Sequence, residues 1–96
     1  MQTLLVLNVS PQVEEDLIDY LLQADGVSGF TAQTVYGHGP EGSMTLAEQV
    51  TGRRKRLQAS VLLSEEYVAG VLAGLASQVG GDIVWWQQPV SASGRI

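Results

Sequence analysis

The stretch Thr3–Leu22, TLLVLNVSPQVEEDLIDYLL, changes its hydrophobic rhythm once, at Ser10-Pro11, and that change sets the fold. Before it, Thr3 to Val9 is a short β-branched and leucine-rich run that fits a strand better than a helix. Ser10 suits the cap of a following helix, and Pro11 its first position, where a missing N–H costs nothing. In that helix Val13, Leu17, Tyr20, Leu21 and Ala24 form one apolar stripe. Glu14, Glu15, Asp16 and Asp19 take the other face and favour the positive end of the helix dipole. Gly26, free to adopt positive φ, is expected to end it.

The same strand-to-helix switch returns further along the chain. Phe30 to Tyr36, FTAQTVY, and Arg54 to Leu63, RKRLQASVLL, alternate as strands do. Ser64 is then expected to cap a second helix, with Glu65 and Glu66 at its start and Val68, Val71, Leu72, Leu75 and Val79 at amphipathic spacing. Gly80-Gly81 breaks it, and Asp82 to Gln87, DIVWWQ, reads as the fourth strand. After Pro89, Ser91-Ala92-Ser93-Gly94 predicts fading order, so residues 1–90 read as one domain and 91–96 as a flexible tail.

The order β-α-β-β-α-β predicts an α+β fold, the ferredoxin-like sandwich: a four-stranded antiparallel sheet with two helices on one face. Its other face is left uncovered. Yet Leu4, Leu5, Val6 and Leu7 are apolar on both sides of their strand, and adjacent Trp85 and Trp86 must point in opposite directions. One of the two indoles therefore cannot lie under the helices. Association that covers such a ring gains roughly 25 cal/mol per Å² of apolar surface, so a homo-oligomer is expected, with a tail folded back over the Trp as the alternative.

Composition narrows the function. A chain of 96 residues, 45% hydrophobic and 16% charged, can bury the core of one folded domain. A net charge of -5 speaks against nucleic acid as a partner, because any anion must be met locally. The absence of cysteine excludes disulfides, thiolate metal sites and thiol nucleophiles. No apolar run approaches about 18 residues, and no positively charged leader precedes the first apolar segment; a soluble, cytoplasmic chain without membrane insertion is expected.

The candidate chemistry lies around the long connection GHGPEGSMTLAEQVTG, Gly37 to Gly52, which far exceeds a usual hairpin loop. His38 is the only histidine; with Glu41, Met44 and Glu48 it offers nitrogen, oxygen and sulfur donors to a divalent metal, or is simply a turn residue between glycines. The glutamate pairs sit at helix starts, where the dipole explains them, and neither a Ser-His-acid pattern nor a GxxxxGK loop is present, so no enzyme is expected. Gly70-Val71-Leu72-Ala73-Gly74 would let its helix lie close to a neighbour. Arg53, Arg54, Lys55 and Arg56 hold four of the five basic residues. Strand alternation puts Arg53 and Lys55 on the face of Leu57, Ala59, Val61 and Leu63, and Arg54 and Arg56 on the face of Gln58 and Ser60. Two readings stand: solvated edge protection, or an anion site of guanidinium groups beside glycine-loop N–H donors.

The order of elements, the long loop, GHG at Gly37 to Gly39 and EQVTGRR at Glu48 to Arg54 resemble the PII-like proteins, and among them a small bacterial branch often associated with heavy-metal efflux systems. The similarity runs to about Val90. It implies a homotrimer with sheets facing inward and a regulatory function. The loop would touch a target such as a membrane transporter, and adenine nucleotides would bind in clefts between subunits. Carried onto this sequence, the loop base is Gly37, His38 and Gly39 with Gly52, Arg53 and Arg54; the turn before the last strand is Gly80, Gly81 and Asp82; the C-terminal basic candidate is Arg95. Two departures stand out. Asp82 is followed by Ile83 where the family commonly has glycine-lysine, and Gly39 to Gly52 holds no tyrosine, so uridylylation there is not expected. The leading expectation is a non-enzymatic sensor of a small ligand, an adenine nucleotide or another anion, with Arg56 added to the candidate site. The alternative is a metal-binding or metal-buffering module using His38 and Glu41.

Overall fold

The computed structural model describes residues 1–38 and 54–96. The Ser10 hydroxyl accepts the Gln12 N–H at 3.3 Å, as a capping serine does, and Pro11 opens a 3-10 turn over Pro11–Val13. That turn carries β1 (Gln2–Val9) into α1 (Glu14–Gln23). After α1 come β2 (Thr31–Gly37), β3 (Arg54–Ser64), a 3-10 turn at Glu65–Tyr67, α2 (Val68–Ala73), α3 (Leu75–Gln78) and β4 (Val84–Pro89). All pairings are antiparallel, in the order β2-β3-β1-β4. The α+β ferredoxin-like architecture expected from the element order is the one observed.

The core follows from alternation along the two central strands. Thr3, Leu5, Leu7 and Val9 of β1 stand opposite Leu63, Val61, Ala59 and Leu57 of β3, and all are buried. Leu17 and Leu21 of α1, and Val68, Val71, Leu75 and Val79 from the second helical segment, close over them. The outer strand β2 contributes little, since Ala32 and Thr34 on the same face stay exposed.

Three expectations are corrected. The second helix is not continuous: it divides at Gly74, between α2 and α3. The Tyr20 hydroxyl donates to the Val71 carbonyl at 2.6 Å, the group an unbroken helix would offer to residue 75. A Cβ on Gly74 would stand 2.5 Å from that hydroxyl, whereas Gly70 has open space; the close approach read from GVLAG belongs to Gly74 alone. Ser64 occupies the cap position, but its hydroxyl lies 3.3 Å from a Glu66 carboxylate oxygen and makes no capping bond. Finally, β4 begins at Val84, and Asp82 sits in the preceding turn with φ +56.

The tryptophans lie on opposite faces, as alternation requires: Trp86 stands opposite Val6 on the open face and Trp85 opposite Leu7 on the helix side. Both nevertheless remain exposed, at 39% and 47%, because the helices cover β1 and β3 and stop short of the β4 edge. Beyond β4 the Val90 N–H reaches the Gln2 carbonyl at 3.3 Å, and the Ser93 hydroxyl meets the Gln2 side-chain oxygen at 2.6 Å. The tail thus runs beside the start of β1. Among the described residues no helix is long and apolar enough to cross a membrane.

Two substitutions test this packing by urea unfolding. Leu7→Ala, at a fully buried position, is expected to cost about 2–5 kcal/mol. Gly26→Ala is expected to cost more than about 1 kcal/mol, because Gly26 has φ +84 and a Cβ there would overlap the Tyr67 ring.

Candidate functional site

Alternation sends Asn8 of β1, and Arg54 and Arg56 of β3, to the sheet face that the helices leave open. The rows of that face change character along the strands. Ser60, Val6 and Trp86 form one row; the next is Gln33, Gln58, Asn8 and Val84; then come Val35 with Arg56 and Gly37 with Arg54. The face is thus apolar in its middle and basic at the end where the Gly37–Gly52 connection leaves the sheet.

Arg56 is the hub of the basic end. It is only 5% exposed, and a buried guanidinium persists only when its donors are bonded and its charge is met. Its Nε donates to Asn8 Oδ1 at 2.6 Å and one terminal nitrogen, Nη2, to the Asn8 carbonyl at 2.9 Å. The same Nη2 donates to the Asp82 carbonyl at 2.8 Å, while Nη1 reaches Asp82 Oδ2 at 3.0 Å. Four of the five guanidinium N–H groups are thereby bonded within the fold. Arg54 Nη2 is bonded to the same Oδ2 of Asp82. Two guanidinium groups converge on one carboxylate oxygen. The two arginine side chains are 12% and 6% exposed, but that of Asp82 is 54% exposed, so the shared acid faces solvent.

These groups border a shallow hollow of about 130 Å³ lined by Asn8, Gly37, His38, Arg54, Arg56, Asp82 and Val84. Of the residues expected from sequence, Gly37, His38, Arg54 and Arg56 meet here, joined by Asp82 of the glycine turn. Gly80, with φ +145, and Gly81 shape that turn but do not line the hollow. Arg95 lies in the tail two residues after Ser93, which meets Gln2 at the far end of β1 from Asn8, and does not line the hollow. Gly39, Glu41, Gly52 and Arg53 lie outside the described residues. Among the described residues no three of His, Cys, Asp or Glu gather as metal ligands.

Sequence reasoning did not find Asn8 or Val84. Asn8 carried a usable signal, a single amide inside the apolar run TLLVLNV, at a position that alternation places on the open face. The ionic contacts of Asp82 span 26 and 28 residues, and no local pattern announces them.

The hollow is small against the roughly 300–1,000 Å³ of pockets that enclose drug-sized ligands. Its donors suit one tetrahedral or planar oxyanion, such as a single phosphate group. A whole adenine nucleotide would have to rest most of its surface elsewhere.

Comparison with known proteins bears on the family and the fold. The model of the family DUF3240, described as a protein of unknown function, matches residues 1–96. The crystal structure of a DUF3240 family protein from Shewanella baltica OS155, at 2.40 Å resolution, aligns with a TM-score of 0.81 and 22% identity, covering 99% of this chain and 96% of that one. At that identity the likeness speaks for the fold alone. No curated protein matches the chain.

The hub geometry ranks the two arginines. Arg56→Ala strips donors from Asn8 and Asp82 at once and is expected to lower stability by on the order of 1–3 kcal/mol in urea unfolding. Arg54→Ala is expected to cost less, and Arg56→Lys is not expected to restore stability, because an ammonium cannot span both partners as a planar fork does.

Proposed function

The chain belongs to the DUF3240 family, and from that premise we propose that it is a non-enzymatic, PII-like regulatory protein that senses a small oxyanion at the base of its long loop. The observation that carries this reading is the pair of arginines, Arg54 and Arg56, gathered beside Gly37 and His38 where the 37–52 connection leaves the sheet. A bound anion there acts on the segment most able to report it. The loop in turn contacts a partner protein, with a metal-efflux transporter as the partner suggested by the resemblance.

The open sheet face supports assembly. Trp86, Val84 and Leu62 leave 39%, 55% and 37% of their surface exposed on it, and a trimer with inward-facing sheets covers them. In that arrangement a neighbouring copy extends the small hollow, and a nucleotide held by its phosphate gains the additional surface it needs. His38 remains at the rim and needs no metal in this reading.

Sedimentation velocity is expected to give a species of three chains, each of 10.3 kDa, and dilution to shift tryptophan emission to the red as Trp86 is uncovered. A sharp monomer boundary at micromolar concentration would remove the assembly. Thermal unfolding in the presence of inorganic phosphate, ATP, ADP and citrate is expected to show a midpoint that rises with concentration for at least one of them, since a ligand of the folded state stabilises it. Flat midpoints for all four at millimolar concentration would sink the anion reading.

A further inference from the structure

We infer that Asp82 is a built-in competitor for the anion site, a carboxylate that occupies the arginine pair until an incoming oxyanion displaces it. The inference rests on the reading of the Arg54–Arg56 hollow as an anion site.

Three features of the geometry support it. First, Asp82 Oδ2 sits where a ligand oxygen would sit, accepting from Arg54 Nη2 and from Arg56 Nη1. A phosphate or carboxylate oxygen set between the same two nitrogens would take the place of Asp82 Oδ2, so the two cannot occupy that position together.

Second, Arg56 does not need the carboxylate to keep its place. Arg56 is fixed by two bonds to Asn8, at 2.6 and 2.9 Å, and by a third to the Asp82 backbone carbonyl at 2.8 Å. Rotation of the Asp82 side chain would break the carboxylate contacts and leave all three in place. Arg56 is therefore held in place for an anion from either source.

Third, Asp82 is the member of the cluster best placed to leave. Its side chain is 54% exposed, against 12% and 6% for the two arginines. Its φ of +56 lies in the left-handed region, which disfavours a residue with a Cβ by roughly 1 kcal/mol or more. The bond from Arg56 Nη2 to the Asp82 carbonyl helps to hold that conformation and does not depend on the carboxylate.

The ligand class is an oxyanion, with a free phosphate, a nucleotide phosphate and a carboxylate sharing the chemistry. Isothermal titration with inorganic phosphate is compared for wild type, Asp82→Asn, Asp82→Gly and the double variant Arg54→Ala/Asp82→Asn. Asparagine removes the charge while tolerating positive φ, and glycine removes the strain as well, so two independent variants keep the turn. Circular dichroism establishes that each is folded. Asp82→Asn and Asp82→Gly are expected to bind phosphate about tenfold more tightly than wild type or better, and the double variant to lose that gain. Parallel titrations with ATP and citrate identify which source gains most.

Wild-type affinity in both single variants, together with loss in the double variant, would keep the anion site and overturn the competitor role. Weaker binding in both would also overturn it, by making Asp82 part of the binding surface. Absence of phosphate, ATP and citrate binding in every variant would remove the anion site itself, and the inference with it.

Discussion

The structure depends on the position of β1, which is paired on both sides and alternates between a face that must be dry and a face that need not be. Thr3, Leu5, Leu7 and Val9 fill the dry side, each with 1% exposure or less. A slip of one residue in its register would send all four to the open face, so the packing of α1 and the second helical segment fixes the pairing with β3 and β4. Everything on the open face is placed as a consequence of that choice. Val6 is the one β1 residue buried there, held between Ser60 and Trp86.

Asn8 takes its place from the same constraint. It is the last open-face residue of β1, one position before buried Val9, and its amide and carbonyl meet Arg56 from the next strand. The guanidinium then reaches across to Asp82, just before β4, so that β1, β3 and the final turn are tied by one side chain. Burying a charge in this way costs desolvation that the bonds must offset, and it gives less stability than apolar packing of the same volume. What it gives instead is a fixed orientation of donors at the end of the sheet, which an apolar residue could not supply.

The parts of the fold that rest on period were legible: the swing from TLLVLNV to PQVEEDLIDYLL, the alternation of RKRLQASVLL, and the division of Arg54 and Arg56 from Leu57, Ala59 and Val61. Those signals are local, and side-chain direction follows from them by geometry. The break at Gly74 was not legible, because it depends on the Tyr20 hydroxyl arriving from another helix at the Val71 carbonyl. The exposure of Trp85 was also hidden, since alternation assigns a face but does not say how far the helices extend over it. At the candidate site the basic residues were visible and their neutralisation was not. Asp82 stood in the sequence as the acid beside a glycine turn, and only a positive φ and a folded β3 bring it to the arginines.

That neutralisation changes how the charge of the chain acts. Glu14, Glu15, Asp16, Asp19, Asp25, Glu65 and Glu66 lie on or beside the helices, on the opposite side of the sheet from Arg54 and Arg56. With a net charge of -5 the chain as a whole repels an anion at long range, and two arginines that already share the Asp82 carboxylate do not reverse that field. At physiological ionic strength both effects fade beyond about 8 Å. An oxyanion of the kind proposed would therefore not be steered to this face; it would be recognised only on contact, by donors held in place in advance. Recognition of that kind depends on geometry more than on charge count. The two Asn8 bonds that fix Arg56 therefore matter as much to the hollow as the guanidinium they hold.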